Sequence, residues 1–351
     1  MRLSLRLLGT VAGCCTVLIC VAGCKATTSY GLASSTPPAQ STLTPAGTPS
    51  SGQSTSTPSG TATRGAPTPA SGQSTTTPAA PPSSGGKEVS VGFDVAFDRA
   101  TATPWNDITE DDLFAIQTTA GSSLDTSSNS VGSVDVPAWV ATVHAHHRLA
   151  LITIGGISDQ HWEIACDATY RSAFVSNLVT YMQTNGFDGI DLDIEDDAWS
   201  AEGPPAPAMT TCIEAISTAA RATPTAAGAR PLISEDVTTP WMGPWVSPSN
   251  AYVDQFNLMT YGDTCTPSCA TFAADVAKTA SQGVPTAKMV LGIDDIDSYP
   301  PAGDCGKIAS YAAQQGLAGV MVWDIHQDAV HNNGSFSCFD QLAPYVAPPG
   351  A

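Results

Sequence analysis

The chain has 351 residues and carries 32 acidic against 13 basic side chains, a net charge of −19 with a pI of about 4.3. That balance excludes a nucleic-acid partner, because phosphates need Lys and Arg to neutralise them. It leaves a neutral polymer such as a polysaccharide open, and nothing in the composition calls for a cofactor.

Residues 1–24 hold Arg2 and Arg6, an apolar run from Leu7 to Val21, and then Ala22-Gly23-Cys24. This is the layout of a secretory signal peptide. The apolar run is short for a membrane span, and the small residues before Cys24 favour cleavage. Val21-Ala22-Gly23-Cys24 resembles a bacterial lipobox, which implies a lipidated Cys24 and attachment to a membrane through a lipid anchor. The alternative is an ordinary signal peptide cut nearby. Either way, an exported bacterial protein is expected, as an envelope lipoprotein or in secreted form.

Residues 25–86 are dominated by Ser, Thr, Pro, Gly and Ala, with the near-duplicates Ser51-Gly-Gln-Ser-Thr-Ser-Thr-Pro58 and Ser71-Gly-Gln-Ser-Thr-Thr-Thr-Pro78. Such a composition buries no core and predicts a disordered linker. As a flexible coil, it would reach on the order of 40–50 Å.

Residues 87–351 suit one large α/β domain. Strands are predicted at Val89–Phe93, Leu113–Thr118, Leu149–Ile154, Gly189–Ile194, Leu232–Val237, Gln255–Thr260, Met289–Ile293 and Gly319–Trp323. Helices are predicted at Pro137–His146, Arg171–Thr184, Met209–Ala222, Thr271–Gln282 and Lys307–Gln315. Eight strands with helices between them indicate a (β/α)8 barrel, with an open doubly wound sheet as the other architecture. The Trp105–Asp111 region and the stretch after Trp241 make poor helices, so some units are irregular.

The most informative strand is the fourth, Asp188-Gly-Ile-Asp191-Leu-Asp193-Ile-Glu195. Its acids alternate with apolar residues, so Asp191, Asp193 and Glu195 share one face. A strand inside a β-α-β series is buried on both sides, where three carboxylates cost several kcal/mol unless hydrogen bonds, protonation or function compensate. In a barrel they point inward, with Glu195 at the carboxyl end where such folds carry their sites. Asp188, offset by an odd number, turns away to brace the strand. The octet is a poor calcium loop, because the sixth position of such a loop needs Gly and Asp196 stands there.

Ten cysteines divide into four in the leader and six in the domain, and an even count in an exported chain favours disulfides. Six cysteines allow fifteen connectivities. The working assignment is Cys166–Cys212, Cys265–Cys269 and Cys305–Cys338. A metal at Cys265 and Cys269 has no second Cys or His pair to complete it, so no metal is expected. His144, His146 and His147 straddle a helix end and a strand start, where solvated or capping roles fit better than a metal site. Trp199, Trp241 and Trp245 fall in rim loops as candidates for stacking on sugars, whereas Trp139 and Trp162 read as core or helix-surface residues. Asp324 and His326 follow the last strand near the expected cleft.

Asp188-x-x-Asp191-x-Asp193-x-Glu195 is similar in full to the signature of family 18 glycoside hydrolases, the chitinase family. Thr153-Ile-Gly155-Gly156 resembles the family's Ser-x-Gly-Gly, Met259-Thr-Tyr261 resembles its Met-x-Tyr-Asp, and Trp323 ends the eighth strand where the family places a tryptophan. The resemblance spans about residues 88–345. It implies retaining cleavage of β-1,4-linked N-acetylglucosamine polymers, in which the substrate's own acetamido oxygen attacks and a single acid suffices as proton donor. Carried over residue by residue, Glu195 is the proton donor, Asp193 holds the acetamido N–H, and Asp191 holds Asp193. Tyr261 donates to the acetamido carbonyl, while Trp323 and Met259 lie against the sugar. Gly155 and Gly156 belong to the structural motif.

This chain departs from the family's pattern in three places. Gly262 intervenes before Asp263, which leaves contact between Asp263 and substrate open. Val91-Gly-Phe-Asp94 is a poor match to the Tyr-rich first strand. Only about 25 residues separate the seventh and eighth strands, which excludes a large insertion there and implies a shallow cleft and endo-type cleavage. Chitin or N-acetylglucosamine oligosaccharides are the expected partners of a monomeric enzyme. An endo-β-N-acetylglucosaminidase acting on N-glycans and a non-catalytic chitin-binding relative are the alternatives.

Overall fold

Apolar residues at alternating strand positions, with helices between the strands, close this chain into a barrel. The computed structural model describes residues 89–95, 102–127, 131–195, 206–239, 243–294, 300–301, 303–331 and 336–346. The predicted leader, the linker, Cys24, Trp199 and Trp241 lie outside the described residues.

Eight parallel strands follow one another around the barrel in sequence order, and the last pairs with the first. They are β1 (Val89–Val95), β2 (Glu110–Ile116), β3 (Leu149–Gly155), β4 (Gly189–Asp193), β5 (Leu232–Thr238), β6 (Gln255–Met259), β7 (Met289–Asp294) and β8 (Gly319–Trp323). The helices are α1 (Val136–Ala145), α2 (Trp162–Ala165), α3 (Arg171–Asn185), α4 (Ala206–Arg221) and α5 (Val246–Ser249), then α6 (Ala270–Ser281), α7 (Asp304–Gln315), α8 (Ile325–His331) and α9 (Ser337–Leu342). Closure rules out the open-sheet alternative. No described helix is long and apolar enough to cross a membrane.

Outward-facing strand residues such as Ile152, Ile190, Leu192, Phe256 and Leu291 join the helices in one continuous apolar shell. Trp139 and Trp162 belong to it, and the Trp139 indole N–H donates to Asp94 at 2.7 Å. The disulfides Cys166–Cys212 and Cys305–Cys338 tie α2 to α4 and α7 to α9, and Cys265–Cys269 closes a small loop before α6.

Two expectations need correction. β2 begins at Glu110, three residues before the predicted start, because the run Glu110-Asp111-Asp112 looks solvated yet all three side chains are buried. Trp245 is not at the rim. Its ring is 2% exposed and packs in the outer shell below the tight Gly243-Pro-Trp turn, where a β-carbon on Gly243 would meet the ring at 2.4 Å. The poor-helix stretches are irregular as expected: residues 102–109 contain no helix, and the segment after Trp241 yields only the four-residue α5.

The barrel interior is divided into two halves. Val91 and Phe93 on β1, Val290 on β7 and Met321 on β8 form an apolar half, extended by Phe114, Met259, Tyr261 and Trp323. The other half is polar: Glu110, Asp112, Thr153, Asp191, Asp193, Ser234, Asp236, Gln255 and Asn257 are all buried. Barrels of this class usually fill the interior with branched apolar residues, so a polar half is the exception to be explained.

Candidate active site

The alternation of β4 points Asp191 and Asp193 into the barrel and leaves Leu192 in the outer shell. Glu195 lies two residues past the strand's end, at the carboxyl mouth. Asp188, just before the strand, turns elsewhere. Its Oδ2 accepts from the Ala150 N–H at 3.0 Å and meets His144 Nε2 at 2.7 Å, so it fastens β4 to β3 and α1. His144 thus has a structural partner, and His146 stacks on Trp105 with ring centres 4.3 Å apart.

Gly155 and Gly156 exist for close approach. Gly155 has φ +124°, and a β-carbon there would fall 1.8 Å from the Asp193 carbonyl oxygen, an impossible contact. That same carbonyl accepts the Gly156 N–H at 3.0 Å. The double glycine therefore lets β3 press against the backbone that carries the acids.

Asp191 lies in a nest of donors: the Ser234 hydroxyl at 2.7 Å, the Thr153 hydroxyl at 3.0 Å and the Asn257 amide at 3.4 Å. Burial raises its pKa, while Ser234, Thr153 and Asp236 pull it back. Asp193 has no such nest. Burial first, then the charges of Glu195, Asp191 and Asp159, hold its carboxyl well above the usual carboxylate range. Its Oδ1 is buried without a partner, an arrangement that is costly unless a ligand supplies the missing donor.

Glu195 is raised to about 7 by burial, against a hydrogen bond from the Ile157 backbone. At neutral pH it is therefore poised to hold and release a proton. Tyr261 faces the same mouth. Burial and the charges of Asp236, Asp193, Glu195 and Asp294 push its phenol well above 10, which keeps it a hydrogen-bond donor. Among the described residues, no Lys or Arg contributes to the shifts of Asp191, Asp193, Glu195 or Asp236.

Opposite the acids, Trp323 ends β8 and is only partly buried, its ring 5.4 Å from that of Phe93 and 4.5 Å from that of Phe114. Met259 ends β6 and belongs to the same apolar wall. The mouth thus presents acids on one side and an aromatic surface on the other, which suits a sugar with its polar edges and apolar faces. Asp263 is turned the other way: Asp275 and Thr271 of α6 act on it, and burial with the Asp275 charge raises it to about 6. Asp324 caps α8 by accepting the Gln327 N–H at 2.9 Å.

Several polar residues of the interior escape a reading of the acidic octet. Glu110 accepts from Gln255 at 3.3 Å, Gln255 donates to Asn257 at 2.9 Å, and Asn257 reaches Asp191. Asp112 and Asp236 complete the polar half, each pushed up by burial and by neighbouring acids. The available signal was alternation, with Glu110 and Asp112 on one strand and Ser234 and Asp236 on another. No group of His, Cys, Asp and Glu among the described residues is arranged to hold a metal ion.

The sequence profile of glycosyl hydrolases family 18 matches residues 125–299, a span that includes the acidic strand, the double glycine and Tyr261. No curated protein sequence matches the chain. Among solved structures, a chitinase from Rhizomucor miehei superposes with TM-score 0.61 at 15% identity, over 74% of this chain and 100% of that one. A chitinase from Bacteroides thetaiotaomicron gives 0.60 at 16% identity, over 74% and 96%. A family 18 chitinase from Cycas revoluta in complex with (GlcNAc)3 gives 0.58 at 18% identity, over 73% and 98%. These likenesses establish a shared fold. With the profile match across its acidic strand, the barrel of this chain belongs to glycosyl hydrolase family 18.

Proposed function

We propose that the protein is a retaining, endo-acting chitinase that cleaves β-1,4-linked N-acetylglucosamine polymers, with Glu195 as proton donor. One observation carries this reading: a carboxyl with a pKa of about 7 at the barrel mouth, beside a buried acid whose Oδ1 lacks a partner. Family membership and the chitin oligosaccharide bound to the Cycas revoluta relative support it.

The N-acetyl group of the sugar supplies the missing donor. Its N–H meets Asp193 Oδ1, which orients the acetamido oxygen toward the anomeric carbon, and the Tyr261 hydroxyl donates to that oxygen. Glu195 gives its proton to the departing glycosidic oxygen as the acetamido oxygen bonds to carbon, forming a cyclic intermediate. Glu195, now a carboxylate, accepts a proton from water, which opens the ring with net retention. Asp191 steadies Asp193 from below, and Trp323 supports the apolar face of the sugar. The short connection from β7 to β8, occupied by α7, favours an open cleft and internal cleavage. Upstream, a lipidated Cys24 and the linker would hold the barrel off the envelope, and mass analysis of the mature N-terminus tests that attachment.

The function is tested by mass analysis of products from defined N-acetylglucosamine oligomers. Wild type should cut internally, and Glu195→Gln should lose at least about 1,000-fold in kcat while retaining oligomer binding. Unchanged turnover in Glu195→Gln would remove the proton donor. Preferential cleavage of a high-mannose glycopeptide would assign the N-glycan reading instead, and binding without hydrolysis by wild type the non-catalytic one.

A further inference from the structure

Asp236 lies outside the acidic octet, yet it stands beside the two central acids. Strand register sets it level with Asp193 on one side and Asn257 on the other. Ser234, two residues earlier on the same face, bonds to Asp191 at 2.7 Å, while Glu235 between them points outward to Ser249. The Asp236 side chain is therefore turned into the barrel, where the residue is only 6% exposed and its Oδ1 has no partner. The groups facing it are Asp191 and Asp193 from β4, Asp112 from β2, Asn257 from β6 and Tyr261 just beyond β6.

Three carboxyls facing one another within a buried space cannot all ionise, so at least one must keep a proton. We infer that Asp236 is that group, a positioning residue that donates its carboxyl proton in a hydrogen bond to Asp191 and so holds Asp191 ionised beneath Asp193. The directions of the shifts at Asp191 and Asp236 agree with this pairing. The charges of both Asp191 and Asp193 raise Asp236, whereas the contact with Asp236 lowers Asp191. Asp191 then has four donors, three from hydroxyl and amide groups and one from an acid. No net proton movement is needed for this role, because the hydrogen stays on Asp236 while Glu195 performs the transfer.

The inference rests on the hydrolase reading for its kinetic consequence, but not for its protonation pattern. In the full-length protein, Asp236→Ala removes the donor, so the pKa of Asp191 rises and the acid limb of kcat moves up by about one pH unit. The same variant should lose about tenfold in kcat with KM little changed, since the acetamido-orienting pair is displaced rather than deleted. Asp236→Asn keeps an N–H donor and should recover most of that loss, with the acid limb back at its wild-type position. An acid limb in Asp236→Ala that superimposes on wild type, or an Asp236→Asn variant as impaired as Asp236→Ala, overturns the inference. If Asp236→Ala fails to fold, carboxyl-carbon NMR of the aspartate-labelled wild type decides without any variant. Asp191 should ionise first and Asp236 last of the three, and the reverse order overturns the inference. Should wild type hydrolyse no oligomer, the chitinase reading falls while the NMR order still judges Asp236.

Discussion

The proposed reaction asks different work of Glu195 and Asp193, which sit at different depths. Glu195 is partly open to the mouth, and burial lifts it to about 7. A general acid must be protonated, so activity should fall as pH rises through about 7, and a kcat profile that stays level up to about pH 9 would contradict the assignment. The proposed sugar contact assigns the apolar contribution to Trp323. Trp323→Ala removes the exposed end of an aromatic trio with Phe93 and Phe114, and should lower kcat/KM on oligomers by about 100-fold, a loss on the order of 3 kcal/mol. Initial-rate measurements check this, and a loss under about threefold would remove Trp323 from the sugar-binding surface. At this scale the sequence was most readable where alternation and spacing coincided, as in Asp191, Asp193 and Glu195. It was least readable at Asp236, because one acid in an otherwise ordinary strand acquires meaning only when closure sets β5 beside β4.

Each of two elements fixes the site through its junctions. At the end of β3, Gly155→Ala would place a β-carbon 1.8 Å from the Asp193 carbonyl oxygen, so β3 and β4 must separate. The variant should lose stability by about 2–4 kcal/mol and hydrolysis together, which thermal unfolding and oligomer assays read in parallel. Near the chain end, the Cys305–Cys338 bridge closes a separation of 33 residues and ties α7 to α9. Replacing both cysteines with Ala should lower Tm by roughly 10 °C, since a bridge of that span contributes about 4 kcal/mol in the loop-entropy model. Strand positions were legible because apolar runs recur between helix-period segments, and seven of the eight predicted starts coincide with the observed ones. The start of β2 was hidden for a physical reason. Glu110, Asp111 and Asp112 carry the composition of a solvated turn, yet all three are buried, and burial pushes the Glu110 and Asp112 carboxyls up so that they enter the interior as acids that hold their protons. Trp245 misled in the opposite sense: a tryptophan among Gly and Pro resembles a rim anchor, yet its ring packs inside the shell.

Across the whole molecule, buried acids link stability to pH. Glu110 and Glu235 each rise from 4.5 to about 8, mainly through burial, and Asp112, Asp193 and Asp236 rise as well. A raised folded-state pKa means the folded chain binds more protons than the unfolded one between those values. Stability is therefore fully present below about 4.5 and declines as pH increases through about 8. Glu235 isolates the effect, because it faces α5 rather than the mouth and accepts from Ser249 at 2.9 Å. Glu235→Gln keeps that bond but does not titrate. It should match wild type in Tm near pH 4.5 and exceed it by several degrees, about 3–6 °C, near pH 8.5. Equal melting at both pH values would mean that Glu235 is ionised in the fold.

The same polar interior bears on the proposed chemistry, since burying so many acids is tolerable only if protons are held among them, and the unpartnered Asp193 Oδ1 at the mouth is the oxygen that the proposed reaction supplies with a donor from the substrate. The direct test is the anomeric form of the first product. Proton NMR during hydrolysis of an N-acetylglucosamine hexamer should show the β-anomer at the newly formed reducing end before mutarotation. Initial release of the α-anomer would mean direct attack by water, and would contradict displacement by the sugar's own acetamido group.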